Sequence, residues 1–228
     1  MTVENDLALQ LHQSYVNSLA NALLSGVTLR QKEVEAKMIE WRGELPEQLK
    51  SDDEREWEIV LASSRPFSVR FAPDGVQITL RGRKYTAGDM SIPAMDVTAD
   101  YKTEISGNAA KLVRRGELQI FPPGFVPGKG TLKIKEIGWR DKLRKRFGKI
   151  FEPEIKGEGL VLPGRWREAG RLDLKQLQTT SGWLVLAWLE SGEPAPPETK
   201  ADKVAGGLHL VRGHFRVNRS QEFVGVDA

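Results

Sequence analysis

The sequence predicts an α+β fold in which a curved antiparallel sheet packs against two or three helices. Apolar residues recur at steps of four near the N-terminus and again after residue 138, a spacing typical of amphipathic helices. Between and after these stretches apolar and polar residues alternate, as they do in strands with one buried face. No regular alternation of helices with strands is present, which disfavours a doubly wound parallel sheet.

The N-terminal part of the chain predicts two helices. The first begins near Asn5 or Asp6, residue types that cap helices, and ends at Gly26, a residue type common just after the last helical residue. The second is predicted over residues 31–42, where Glu33 stands four residues before Lys37. The apolar stripe of the first predicted helix consists of Leu7, Leu11, Tyr15, Leu19 and Leu23.

Strands dominate the middle of the chain. The clearest hairpin joins residues 67–71 to residues 76–80 through Pro73-Asp74-Gly75, where proline presets φ and glycine accepts a positive φ. A long strand is predicted from Met95 to Ile105, and the alternation over residues 131–135 predicts a short one. We expect the buried face of the hairpin to carry Phe67, Val69, Phe71, Val76, Ile78 and Leu80.

Two further elements complete the predicted core. A basic amphipathic helix is predicted over residues 139–151, and we expect it to pack on the sheet and to hold its bases in water. Residues 183–189 are apolar at both alternating positions, which predicts a central strand among the least accessible segments. The stripe of the basic helix consists of Trp139, Leu143, Phe147, Ile150 and Phe151.

The domain organisation follows from composition. We interpret residues 1–190 as a single α+β domain and residues 191–228 as a Pro-rich linker and C-terminal tail, because ESGEPAPPETKADK has the composition of an extended linker. No apolar run approaches 18 residues, so no membrane-spanning helix is expected. The first ten residues, MTVENDLALQ, lack the basic and then apolar order of a secretory signal.

Charge is distributed unevenly along the chain. Residues 1–60 contain 12 acids and 6 bases, a net charge of −6, whereas residues 129–149 contain 9 bases and 2 acids, a net charge of +7. The basic stretch is either a solvated helix face that complements the acidic N-terminal part or a contact with an anionic protein or membrane surface. The candidate residues for an anionic contact are Arg140, Arg144, Lys145 and Lys149.

The motifs of common catalytic sites are missing from the sequence. Cysteine is absent, and the three histidines, His12, His209 and His214, stand at no ligand spacing from acids. The glycine-rich segment over residues 124–131 lacks the spacing of a phosphate-binding loop. Asp96 and Asp100 share a strand face with Thr98 and Lys102, which is typical of a solvated sheet surface. We therefore expect no metal, no cofactor and no enzymatic activity.

Arginine beside tryptophan can stack a nucleic-acid base, and Arg165-Trp166-Arg167 has this composition. A tryptophan covered by the aliphatic stems of its neighbours explains the same pattern. The net charge of +3 is too small to indicate nucleic-acid binding by itself. We do not expect a nucleic-acid partner.

The segment LHQSYVNSL, followed by Leu24-Ser25-Gly26, resembles the N-terminal helix of the tubular lipid-binding superfamily, which includes bactericidal/permeability-increasing protein. In that helix a Ser and an Asn stand among apolar positions and a Gly ends the helix. The resemblance implies a curved sheet that wraps a helix and leaves an apolar tunnel for lipid. It also implies that Tyr15, Leu19 and Leu23 face that tunnel.

Two hypotheses about function remain open. The first is a non-enzymatic binding module for an apolar small molecule or lipid. The alternative is a structural or interaction domain of a larger bacterial assembly, in which the basic amphipathic helix contacts an anionic partner. An apolar cavity next to the helices favours the first, and a stoichiometric partner favours the second.

Overall fold

A computed structural model describes residues 6–42, 45, 56–106, 109–156, 160–161, 170–192, 194 and 216–217. The predictions for His209, His214 and residues 165–167 lie outside these residues. The helices are α1 (Gln13–Leu24), α2 (Gln31–Arg42) and α3 (Ile134–Ile150). The strands are β1 (Leu7–His12), β2 (Thr28–Arg30), β3 (Trp57–Leu61), β4 (Phe67–Ala72), β5 (Gly75–Ala87), β6 (Met90–Ile92), β7 (Met95–Ser106), β8 (Ala109–Arg114), β9 (Gln119–Phe121), β10 (Glu154–Lys156), β11 (Leu160–Val161), β12 (Arg171–Thr180), β13 (Trp183–Glu190) and β14 (Arg216–Val217).

The fold is α+β, as the sequence predicts, but the strands form two antiparallel sheets instead of one. A nine-stranded sheet has the order β10-β8-β7-β5-β3-β2, with β4 and β6 also paired to β5 and β9 paired to β7. A five-stranded sheet has the order β11-β12-β13-β1-β14. The C-terminal tail contributes to the second sheet through β14, which pairs with the first two residues of β1.

The largest core cluster lies on one face of the nine-stranded sheet. Met95, Val97 and Ala99 alternate along β7 and are completely buried there. Leu143 and Phe147 of α3 pack into the same cluster, so the basic helix is a core element, as expected from its stripe. The opposite face of the sheet is polar, and its paired residues bond to each other across β5 and β7, as Thr79 does with Thr98.

The predicted hairpin is confirmed in position and register. Phe67 pairs with Leu80, Val69 with Ile78 and Phe71 with Val76, so all six side chains share one face. A Cβ atom at Gly75 would collide with the backbone carbonyl oxygen of Tyr101 on β7. Glycine at this position therefore permits the close approach of the two strands. Its φ is not positive, so the expected use of a positive φ in the turn is wrong.

The first predicted helix is wrong over its N-terminal third. Leu7–His12 is the strand β1, which pairs along its whole length with β13, and helix α1 begins only at Gln13. The segment LALQLH also alternates apolar and polar residues, so two periods compete in it, and the long-range pairing decides between them. His12 becomes the N-cap, because its Nδ1 atom accepts a hydrogen bond from the Ser14 backbone N–H over 3.3 Å.

The short strand predicted over residues 131–135 is also wrong. Residues 131–133 belong to no regular element, and α3 begins at Ile134, five residues earlier than predicted. The Glu136 carboxylate accepts a hydrogen bond from the Lys133 backbone N–H over 2.7 Å. This bond satisfies a donor at the start of the helix and stabilises the earlier beginning.

The strand predicted to be least accessible is central in its sheet but only partly buried. β13 has β12 on one side and β1 on the other. Ala187 and Trp188 are buried, whereas Leu186 is half-buried and Trp183 is 44% exposed. The prediction of low accessibility is therefore wrong, because occupying the middle of a hydrogen-bonded sheet does not by itself cover both faces of a strand.

Helix α1 covers the free edge of β4. The Asn17 side chain accepts a hydrogen bond from Val69 N–H over 2.7 Å and donates one to Val69 C=O over 3.0 Å. Gln13 accepts from the Phe71 N–H over 3.0 Å in the same way. The amides on one face of α1 thus replace the partner strand that β4 lacks on this side.

Candidate ligand-binding cleft

Helix α3 and the strands β3, β5 and β6 border a small cleft of about 40 Å³ that is open to solvent. Its floor is aromatic, since the rings of Tyr85 and Phe147 meet edge to face with their centroids 5.9 Å apart. The Tyr85 hydroxyl points away from solvent and donates to the Met95 carbonyl over 2.8 Å. Trp57, Met90 and Leu143 complete the apolar lining.

Two bases of α3 stand at the cleft. The guanidinium carbon of Arg146 lies 5.1 Å from the centroid of the Trp57 ring, a cation–π distance. Lys142 lies one turn earlier on α3 and makes no ion pair with any residue that the structure describes. On the strand side Glu58 also borders the cleft, and its carboxylate is held by Arg30 over 3.2 Å. The lining therefore joins an apolar interior to a positively charged border.

Burial raises the pKa of the Tyr85 hydroxyl above its usual range, and the nearby Asp96 carboxylate raises it further. The hydroxyl is therefore protonated at neutral pH and acts as a hydrogen-bond donor. Within the cleft lining, the geometry suits the binding of an amphiphile: the apolar part fits against the rings and Leu143, and an acidic group fits near Lys142 and Arg146.

The residues implied by the family resemblance lie elsewhere. Tyr15, Leu19 and Leu23 follow the outward side of α1, with 45%, 47% and 65% of their surface exposed. None of the three borders the cleft beneath α3. The sheet-facing side of α1 is formed by Val16, Ala20 and Leu24 instead. A ligand-contacting role of Tyr15, Leu19 and Leu23 stays a prediction.

The residues predicted to contact an anionic surface divide into two groups. Arg140 contacts Asp141 over 3.4 Å, and Arg144 contacts Glu117 over 3.2 Å, so acids of this chain already accompany both arginines. Lys145 and Lys149 are exposed on the outward side of α3. The Arg144–Glu117 pair links α3 to the segment before β9, whereas the Arg140–Asp141 pair lies within the helix. A contact of Lys145 and Lys149 with an anionic surface stays a prediction.

Sequence reasoning missed the cleft itself. Its walls come from segments that are far apart in the chain, and only the pairing of β3 with β5 brings Trp57 beside Ala87. Lys142 and Arg146 were recognisable as members of the basic stretch, because they stand at i and i+4 on an amphipathic helix. No local pattern indicated that their side of the helix would border an apolar opening.

In the part of the chain that the structure describes, no three His, Asp or Glu side chains come together as metal ligands. None of the described helices is both long and apolar enough to cross a membrane.

Comparisons with known proteins place the chain in no family. No protein-family model matches the sequence, and no curated protein matches it. A solved structure, the crystal structure of lipopolysaccharide binding protein, aligns with 88% of this chain and 56% of its own chain, at 13% identity and a TM-score of 0.35. The chain thus spans little more than half of that protein's length. A TM-score this low does not establish a shared fold or ligand.

Proposed function

We propose that this chain is a non-enzymatic binding module for an apolar ligand or lipid that carries an acidic group. The observation that supports the proposal is the cleft beneath α3, where an aromatic floor adjoins Lys142 and Arg146. The cleft volume of about 40 Å³ is far below the roughly 300–1,000 Å³ of sites that enclose a whole small molecule, so the cleft accepts one end of a ligand and leaves the rest on the surface. The ligand class follows from this combination of lining residues.

Each part of the lining contributes a different interaction. Trp57, Tyr85 and Leu143 offer apolar surface, and its removal from water on binding drives the association of a hydrocarbon group. Lys142 and Arg146 offer charge-assisted hydrogen bonds to a carboxylate or phosphate. An uncharged hydrocarbon gains only from the apolar surface. Comparing its affinity with that of a charged analogue therefore measures what the acidic group of the ligand adds to binding.

The non-enzymatic character is part of the proposal and is supported by the side chains around the cleft. The Tyr85 hydroxyl is bound to a backbone carbonyl, and Glu58 is held by Arg30. Nucleophilic catalysis requires a nucleophile within hydrogen-bond reach of a base that activates it. Among the residues that border the cleft, no such pair is formed.

The test is a comparison of laurate with dodecanol by titration calorimetry, because the two probes share a chain length and differ in charge. Wild-type protein should bind laurate more tightly than dodecanol. The double variant Lys142→Gln/Arg146→Gln should lose about tenfold or more in laurate affinity, since a hydrogen bond to a charged group contributes roughly 1.5–3 kcal/mol, and should keep its dodecanol affinity. Lys84→Gln, an exposed site on β5, is the matched control.

A second variant locates the apolar part of the site. Ala87 borders the cleft, and Ala87→Trp should fill it and reduce the affinity for both probes. If both probes bind Ala87→Trp as they bind wild-type protein, the ligand site lies elsewhere on the chain. If wild-type protein binds neither probe, the proposal fails. Circular dichroism of each variant verifies that it is folded.

The alternative function, an interaction domain that contacts an anionic protein, has one observation in its favour. Lys145 and Lys149 lie on the outward side of α3, away from the core that its stripe enters. Affinity capture from the native host, with Lys145→Gln/Lys149→Gln as the comparison, tests it. Recovery of one stoichiometric acidic partner by wild-type protein, and not by the variant, would favour this function.

A further inference from the structure

Exposed apolar side chains concentrate at the N-terminal end of α3 and in the loop before it. Ile134, the first residue of the helix, is 89% exposed, and Ile137 is 38% exposed. In the loop over residues 122–133, Val126 is 52% exposed. Single exposed apolar residues are ordinary on protein surfaces. Several that lie near one end of a helix are typical of a surface that binds a protein or a membrane.

The loop before α3 is folded back on itself, so its two halves lie close together. Phe125 stacks on Phe121 with the ring centroids 4.9 Å apart and the planes 13° from parallel. A Cβ atom at Gly130 would lie 3.5 Å from the Phe125 ring, so the descending half of the loop contacts the ascending half. Gly130 and Ile134 are four positions apart in the chain, so their Cα atoms lie within about 14 Å of each other.

The same region carries positive charge. Lys129, Lys133 and Lys135 are exposed, and none of them forms an ion pair within the described part of the chain. Glu136 is the only acid between residues 122 and 137, and its carboxylate accepts a hydrogen bond from the Lys133 backbone N–H. We call residues 122–137, with their exposed apolar side chains and lysines, the α3 tip.

We propose that the α3 tip docks on an anionic membrane surface. Apolar side chains that enter the boundary of the acyl chains, together with lysines near anionic headgroups, are the combination that holds proteins at membrane interfaces. The apolar residues project outward, and a fluid lipid layer deforms around projecting side chains, whereas a protein partner needs a matching pocket. This shape and the charge favour a bilayer over an acidic protein.

The geometry of α3 sets the orientation of the docked molecule. Leu143 and Phe147 are buried in the core, so the helix does not lie flat on a membrane through its main stripe. Contact through the tip is end-on, and it brings the ligand cleft close to the lipid. Lys142 follows Ile134 by eight residues, which is a rise of about 12 Å along the helix.

Co-sedimentation with vesicles tests this surface, using phosphatidylcholine vesicles with and without phosphatidylglycerol at low and high salt. Wild-type protein should bind the anionic vesicles preferentially, and part of the binding should survive high salt, because salt screens the lysines and not the apolar contacts. Lys129→Gln/Lys133→Gln/Lys135→Gln should lose about a hundredfold in partitioning at low salt, roughly fivefold for each lysine.

The apolar contribution is tested by Val126→Ser/Ile134→Ser, which should lose at least about tenfold and all binding that resists salt. Two controls match these changes on exposed positions elsewhere: Arg70→Gln/Arg83→Gln/Lys84→Gln in charge, and Ile39→Ser in polarity. Both should bind the vesicles as wild-type protein does.

Three outcomes would overturn the proposal. They are a wild-type protein that ignores anionic vesicles, equal binding to neutral vesicles, and tip variants that sediment like wild-type protein. Binding of laurate measured without vesicles should be unchanged in the tip variants. That measurement separates a failure of membrane docking from a failure of the ligand cleft.

Discussion

The Asn17 side chain shows how much one residue does at the edge of β4. Its amide accepts from Val69 N–H and donates to Val69 C=O, so one side chain satisfies both backbone groups of an edge residue. Edge strands expose such groups and invite pairing with other chains. The Asn17 amide therefore protects the edge of β4. The pattern of apolar residues along the helix does not predict this role.

We predict that Asn17→Ala lowers the free energy of unfolding by about 1–3 kcal/mol, the cost of partly buried polar groups left unpaired. Urea unfolding measures the change. Ser18→Ala, one residue further along on the exposed side of α1, should change stability by less than about 0.5 kcal/mol. Equal effects of the two substitutions would show that the amide bonds contribute nothing.

Asp96 makes stability depend on pH. Burial raises the pKa of its carboxyl, and the Arg81 guanidinium, 3.6 Å away, lowers it by a smaller amount. The folded state therefore holds this proton more tightly than the unfolded state, where the pKa is about 3.9. The stabilising effect is complete below the unfolded value and is lost as the pH rises through the folded value.

We predict that the stability of wild-type protein relative to Asp96→Asn falls as the pH rises from about 4 through this range. Chemical unfolding at a series of pH values measures the difference. Arg81→Gln removes the opposing charge and should steepen the fall. A wild-type protein whose relative stability rises with pH over this range would contradict the sign.

At the scale of elements, the fit of α1 to β4 depends on matching repeats. Gln13 and Asn17 are four residues apart, a rise of about 6 Å along a helix, and they meet Phe71 and Val69, which are two residues and about 6.8 Å apart along a strand. Because the two spacings are similar, the side-chain amides of Gln13 and Asn17 both reach backbone N–H groups at the edge of β4. The polar residues of this helix thus determine its register against the sheet.

Shortening a leucine side chain to alanine should destabilise the fold more in the buried stripe of α3 than on the open face of β13. We predict that Leu143→Ala costs about 2–5 kcal/mol, because it leaves a cavity in the largest core cluster. Leu186→Ala should cost less, about 1–2 kcal/mol, since Leu186 is only half-buried. Urea unfolding of both variants tests the order, and a larger cost at Leu186 would reverse it.

The sequence predicted elements well where one period stood alone. The β4–β5 hairpin and helix α3 each have a clear stripe, and both are found with the predicted face inward. The exception is Ile150, which was predicted in the buried stripe of α3 and is 40% exposed. Leu7–His12 fits both periods, and only its pairing with β13, about 175 residues away in the chain, selects the strand. Ile134 looked like part of a strand because its neighbours alternate. A hydrogen bond from the Lys133 backbone N–H to the Glu136 carboxylate stabilises the start of a helix there instead.

At the scale of the whole molecule, the cleft depends on the arrangement of sheets and helices. Trp57 and Ala87 become neighbours through β3 and β5, and α3 then closes over them from a third part of the chain. Sequence reasoning located the two bases of the cleft but not its apolar walls, because no local pattern encodes which strands pair. The predicted boundary at residue 190 also concerns the whole molecule, because it states which part of the chain the fold requires.

We predict that a chain truncated after Gly192 keeps its fold and its affinity for laurate. The described end of β13 is already anchored, since Ser191 N–H donates to Arg171 C=O over 2.9 Å. Of the tail residues that the structure describes, Arg216 and Val217 pair with β1, and the entropy lost on ordering a chain offsets two residue pairs. The free energy of unfolding should therefore change by no more than about 1–2 kcal/mol.

Truncation after Thr180 is the contrasting variant, because it removes β13, which joins β12 to β1 within the five-stranded sheet. That variant should fail to fold cooperatively, since Leu7 and Leu174 both lose their partner Trp188 in the second core cluster. Urea unfolding and calorimetric titration of both truncated chains decide the matter. A loss above about 3 kcal/mol on truncation after Gly192 would mean that the tail belongs to the domain, since this exceeds what two residue pairs contribute.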